Sequence, residues 1–509
     1  MKKLNALLFV CFAAVLASTV RAQTSGVNNA ELNGNYTFNF NGFSVGVVGI
    51  ASGRSVVFAA VGRFTADGAG NLTNGEMDAN GLGAGTAFTQ QPFTGTYTIG
   101  ADNRGMMTMS IAGVAYQLAF AMTAEGNAQF IEFDPPGGSI GSGSMEKADT
   151  TAFSAAKITG DYAFGLAGFD ASSNRIALAG RLTSDGAGNL TNGAADINGH
   201  GTVGSAIFSS SIYTVSDTTN GRGTMTMGFS VGGTAAYTLN FVFYIVNSGK
   251  LFAMETDPLM GSTPLLSGVV LQQQAPSGGF SNASLQGNMV IYLTGQSYCS
   301  NGFNPSADVI AGSLAADSNG ALTLTLDRNC GGIASSEIGL PGTYSVASNG
   351  RTSIVVGNGA TAYLLNKNQA FLIGNDGSVL FGFGEPQAAG DVPGFQPLSN
   401  SSVSGGYAGL ATNPATSSVT IFSGEFTADG ASPTGNLTGT EDIDGATGPM
   451  SGVPFKATYS ISSAPTNGRG AVTMISSSGA SGVAYVISSS KFVMLPLNDP
   501  NPSVWLFEH

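Results

Sequence analysis

Four short acidic pairs recur along the chain at a spacing of two: Asp78 with Asn80, Asp196 with Asn198, Asp327 with Asn329, and Asp442 with Asp444. Clustered Asp and Asn oxygens suit hard cations, so the first chemistry they invite is a calcium site. The surrounding sequence departs from an EF-hand, with neither its alternating acidic run nor its closing glutamate, and turn capping is the competing reading. Glu132 with Asp134 and Glu255 with Asp257 form a second set, the residue types of glycoside cleavage. The corresponding places further along hold Gly374 and Asp376, then Leu495 and Leu497, which favours a rim-facing or interior polar pair over a catalytic one. His200 and His509 are the only histidines, so no His-dependent triad or zinc site can recur. The strings "GSIGSGS" and "GHGTVGSA" lack the strand-to-helix setting of a phosphate loop and read as flexible connections. No catalytic residue, cofactor site or metal site is assigned on these grounds.

The elements that position these residues come from a repeat. "TADGAGNLTNGEMDANG" from Thr65 returns as "TSDGAGNLTNGAADING" from Thr183, with looser copies from Ala315 and Thr427. Their aspartates, Asp67, Asp185, Asp317 and Asp429, lie about 110–130 residues apart, the size of a small domain rather than a propeller blade. Each copy opens on an alternating strand ("LNGNYTFNF", "ITGDYAFGL"), continues through an apolar strand such as "IALAGRLTSDG", and later carries "TGTYTI", "SSIYTV", "PGTYSV" or "KATYSI". Roughly eight short strands per copy, separated by regular turns, predict an all-β chain of four tandem antiparallel meanders, each closing into a barrel, with a β-sandwich as the alternative. The expected divisions are a signal peptide over 1–22 and β repeats over 23–150, 151–276, 277–394 and 395–509.

This strand pattern resembles the avidin and lipocalin type of eight-stranded barrel. The four-copy layout is similar to secreted bacterial tandem-repeat β proteins of unassigned activity, a resemblance that implies no chemistry.

Within the repeated motif, Asp67 to Asn71 supplies the Gly, Asp and Asn of a tight hairpin. A one-residue bulge at Asn74-Gly75 and at Asn192-Gly193 would bring the first two copies into register with the fourth, turning Met77, Ala195, Ile197 and Ile443 inward and the acidic pairs outward. Asn71, Asn189 and Asn436 also satisfy the N-glycosylation pattern, which turn geometry explains without a sugar. Meander topology puts Asp67 and Arg104 on one rim, as it does Asp185 with Arg222, Asp317 with Arg351, and Asp429 with Arg469, and salt bridges within each copy are expected. It also places Cys299 and Cys330 on a shared rim, which predicts a disulfide.

Acidic residues number 31 against 18 Lys and Arg, a formal charge of −13 that lacks the basic footprint of nucleic-acid or anionic-membrane binding. The opening "MKKLNALLFVCFAAVLASTVRAQ" reads as a secretory signal, and no later stretch is long and apolar enough for a transmembrane helix. The expectation is a secreted or cell-surface, non-enzymatic scaffold or adhesive protein built as an extended array. The alternative is a small-ligand or glycan-binding barrel array, with a surface glycan or a small apolar ligand as partner, and a secreted carbohydrate-active enzyme comes third. Inward rows such as Tyr36, Phe38 and Phe40 with Phe64 and Tyr97 read as filled cores rather than pockets.

Overall fold

The computed structural model describes residues 26–44, 56–81, 88–134, 139–199, 201–231, 235–259, 263–299, 305–387, 398–412, 415–445, 448–462, 467–476 and 480–509. The signal segment and His200 lie outside the described residues. The chain forms four closed eight-stranded antiparallel barrels in tandem, each an up-and-down meander whose last strand returns to its first. In the first barrel the strands are Asn33–Ser44, Val56–Asp67, Asn71–Asn80, Phe88–Ile99, Arg104–Ile111, Val114–Met122, Ala128–Glu132 and Ser139–Lys147. Closure pairs Tyr36 with Lys147 and Phe43 with Ile140, which leaves no free edge strand.

The lumen of each barrel is a packed core. In the first, Tyr36, Phe38, Phe64, Phe93 and Met109 pack together with no residue of the set more than 5% exposed. The fourth retains a void of only about 10 Å³ among Val403, Leu437 and Tyr459.

From Ser139 on, the "GSIGSGS" string is a strand, not a flexible connection, and it closes the first barrel. Its glycines are required by close approach: a Cβ on Gly143 would lie 2.0 Å from the Asn39 carbonyl oxygen and 2.6 Å from the Phe130 ring. Strand eight therefore passes over bulky lumen rings only where side chains are missing.

The bulges occur where expected. Arg63 pairs with Glu76 but Thr65 pairs with Thr73, so Asn74 and Gly75 together oppose one residue, and Asn74 takes φ 49°. The second barrel repeats this at Asn192, φ 50°, whereas the pairings of strands two and three in the other two barrels run without a shift.

Each barrel has a further tie. A one-turn 3-10 helix precedes the first strand, as at Asn29–Glu31, and the strand-four tyrosine holds it: the Tyr97 hydroxyl donates to the Leu32 carbonyl at 2.6 Å, and Tyr459 does the same to Val403 at 2.7 Å. The repeated strand-four tyrosine, followed by Thr or Ser in every copy, thus fastens the chain's entry into each barrel.

One apolar cluster crosses all four barrels, taking in Val61, Ala177, Phe371 and Phe426 among others. Strand two explains it. Along Arg175–Asp185 the first eight residues are all buried, so the strand is covered on both faces, by its own lumen and by a neighbour. Strand four, in contrast, is largely exposed and faces water.

Candidate functional site: four seams and an axial chamber

The acidic pairs lie where one barrel meets the next. They point out of their own barrel, as parity requires, yet Asp78, Asp196, Asp327 and Asp442 are at most 1% exposed. Asp78 receives Arg222 of the second barrel in a two-pronged contact, Nε and Nη2 each at 2.8 Å, and the Tyr244 hydroxyl donates to it at 2.7 Å. Asp196 receives Arg351 at 2.6 and 2.7 Å and Tyr363 at 2.6 Å. Asp327 receives Arg469 at 2.7 and 2.8 Å and Tyr485 at 2.7 Å.

Burial alone would raise the Asp196 carboxyl, but hydrogen bonds from Arg351, Tyr363 and Ser205 outweigh it and hold the group below the usual range. Asp327 behaves likewise with Arg469, Ser336 and Tyr485. Tyr363 and Tyr485 are pushed far up, by burial first and then by the carboxylate they face.

The paired amides complete each seam. Asn80 Nδ2 donates to the carbonyls of Glu255 and Asp257, at 3.0 and 2.9 Å. Asn198 reaches Gly374 and Asp376, and Asn329 reaches Pro496 and Asp499, at 2.8–3.0 Å.

The fourth seam closes the set on itself. Arg104 of the first barrel donates through Nη1 to Asp442 of the fourth at 2.8 Å, and Ser423 Oγ donates to the Gln129 carbonyl at 2.9 Å. Head-to-tail contacts that return to their starting point make a ring. The expected extended array is therefore corrected to a four-barrel ring, in which strand two of each barrel packs on late strands of the next.

This closing seam differs from the other three. Ala121 pairs with Arg104 where the others pair Tyr244, Tyr363 or Tyr485 with the arginine, and Asp442 Oδ2 has no partner among the described residues. Asp444 stands where the other seams have Asn. As a carboxylate it cannot donate, and burial, with Asp134 nearby, raises its carboxyl to about 6. Glu425 is raised to about 8 by burial and by Asp102, against the opposing pull of Arg104.

Three further expectations need correction or relocation. Asp67 does not bridge to Arg104. Its carboxylate is used within its own turn, by the amides of Ala69 at 2.7 Å and Asn71 at 2.9 Å, and Asp185, Asp317 and Asp429 are engaged in the same way. Those contacts, led by the Asn71 side chain, lower the Asp67 carboxyl to about 2. The calcium reading of the pairs fails for the first three seams, because both Asp oxygens already accept from Arg and Tyr. Glu132 and Glu255 share the lumen-facing parity of Phe130 and Ala253 and are raised to about 10 and about 9, first by burial and then by Asp134 and Asp257. Both are neutral acids in barrel ends. Cys299 and Cys330 are joined in a disulfide with Cα atoms 5.7 Å apart.

Where the four barrels converge, chiefly their first and last strands line a partly open chamber of about 320 Å³. Its apolar wall includes Val57, Phe169, Val269, Phe381, Leu410 and Leu506. One end is charged and both of its lysines are paired: Lys491 lies 2.8 Å from Glu385 and 2.7 Å from Glu508, and Lys250 lies 2.6 Å from Glu146. Nothing in a single copy announces this chamber, because no copy contains it. The available signal was strand two, whose "IALAG" run has no polar residue to give to water.

No family model matches the chain, and no curated protein matches it. Among solved structures, kievitone hydratase from Nectria haematococca is similar over 49% of this chain and 93% of its own, at 9% identity and a TM-score of 0.17. A likeness that slight carries no argument about activity.

Proposed function

We propose that the chain is an exported, non-catalytic scaffold whose working unit is the closed ring, not the single barrel. The observation that carries this reading is the Arg104–Asp442 contact, which joins the last barrel to the first. Ring closure turns the four strand-four faces outward, where Thr98, Thr214, Ser345 and Ser460 are equivalent exposed hydroxyl-bearing residues. Such hydroxyl rows suit weak attachment to a surface glycan, and four tethered copies raise the effective concentration of each contact. Packed lumens argue against ligands held inside individual barrels.

The test is retention of the full chain on insoluble polysaccharide particles, with these four residues changed to glutamate singly, in pairs and all together. Multivalent attachment predicts that each added substitution lowers retention by a similar factor. Retention that is absent at the outset, or unchanged in the fourfold variant, contradicts the proposal.

A further inference from the structure

One charge on the chamber wall has no counterpart among the described residues. Arg175 opens strand two of the second barrel, is 5% exposed, and lies over the Phe169 ring at 4.9 Å from its centroid. Its backbone N–H donates across the seam to Gln296 Oε1 at 3.2 Å. Its guanidinium faces no carboxylate among the described residues, and Nε has no partner there. Most of the other buried guanidiniums differ: Arg104 has Asp102 and Asp442, Arg181 has Asp161, and Arg222 has Asp78, while Arg63, outside the chamber wall, is held by Asn35, Thr65 and Asn220 with Glu76 and Asp217 nearby. Burial lowers Arg175 only to about 10, so it stays cationic at neutral pH. A desolvated cation without an anion is costly, and the chamber it lines is where an anion can reach it.

The shape and the walls narrow the occupant. The paired Lys and Glu cluster lies at the level of Thr37, and Arg175 lies at the level of Phe43, six strand positions away or roughly 20 Å. Between them aliphatic and aromatic side chains alternate with glycines and with uncharged polar residues such as Asn41, Ser142 and Ser267. A single free guanidinium matches one negative charge, and the far end offers no uncompensated cation for a second.

We propose that the axial chamber binds a monoanionic amphiphile, an organic carboxylate with an apolar body, whose head group pairs with Arg175. The proposal uses the closed ring alone and is independent of the outward-face reading.

Titration calorimetry of the full chain with decanoate and with decanol separates charge from apolar body. Decanoate should bind saturably and more tightly than decanol by about tenfold or more, the range of a charged hydrogen-bonded contact. Arg175→Met should bring decanoate to the level of decanol and leave decanol binding unchanged, while Arg175→Lys should keep most of the preference. Absence of saturable decanoate binding by the unaltered chain overturns the proposal. So does equal affinity for the two ligands in that chain, a comparison that needs no variant to fold.

Discussion

Arg104 and Asp442 meet at 2.8 Å although 338 residues separate them, and that contact makes the last barrel a neighbour of the first. The other three seams have a peptide connection as well as an Asp–Arg–Tyr contact. This one has neither the connection nor the tyrosine, so it is the seam at which the ring opens first. Limited proteolysis under mild denaturant should cut residues at the faces of the first and fourth barrels before those at the other seams.

Removing one partner of a buried ion pair leaves the other uncompensated. Asp327→Ala strands Arg469 and Tyr485, and the expected loss is about 3–5 kcal/mol by chemical denaturation. Asp67→Ala removes only turn contacts at an exposed site and should be much milder. Equal losses for the two would contradict the assignment of roles.

Replacing the two odd residues of the closing seam should strengthen it. Ala121→Tyr supplies a hydroxyl for the unpartnered Asp442 Oδ2, and Asp444→Asn restores the amide donor of the other seams. Each is expected to add about 1 kcal/mol. Thermal melting of the single and double variants reads this out, and a fall in melting temperature counts against the comparison between seams.

The pattern of barrels was legible because each copy carries its own alternation, turns and core, and even the bulge at Asn74-Gly75 follows from a one-residue difference between copies. Asp78 and Asn80 stood out for the same reason, as outward residues that turn geometry leaves unexplained. Their partners were not legible. Arg222 lies 144 residues from Asp78, in a different copy, and spacing within one copy directs attention to Asp67 and Arg104 instead. The chamber is further still from the sequence, since it exists only between barrels and the one cation on its wall without a carboxylate among the described residues, Arg175, is unremarkable among the other arginines until the carboxylates around them are located. The one local trace of the ring was the unbroken apolar run of strand two, which a solitary barrel in water would have alternated.

The closing seam should respond to pH in a definite direction. Glu425 and Asp444 are raised to about 8 and about 6 from ordinary values of 4.5 and 3.8. A raised acid contributes stability below its unfolded value and loses it as pH climbs through the folded one, so the ring should weaken from about pH 4 to pH 8 on their account. Asp196 and Asp327, held low, act oppositely and lose their contribution as pH falls below their ordinary 3.8. Glu425→Gln with Asp444→Asn should flatten the upper slope in melting temperature against pH. An unchanged slope would remove these two groups from the account.

The disulfide is confined to the third barrel and closes a separation of 31 residues. Loop-closure entropy gives it about 3–4 kcal/mol. Cys299→Ser with Cys330→Ser should lower the stability of that barrel and leave the Arg104–Asp442 seam intact, as judged by the same proteolysis pattern.

Small-angle X-ray scattering of the full mature chain bears most directly on the ring. A compact arrangement of this length predicts a radius of gyration of about 23 Å and a single-peaked distance distribution. A radius roughly twice that, with a distribution trailing to long distances as separate barrels on a string would give, would contradict ring closure and the chamber with it.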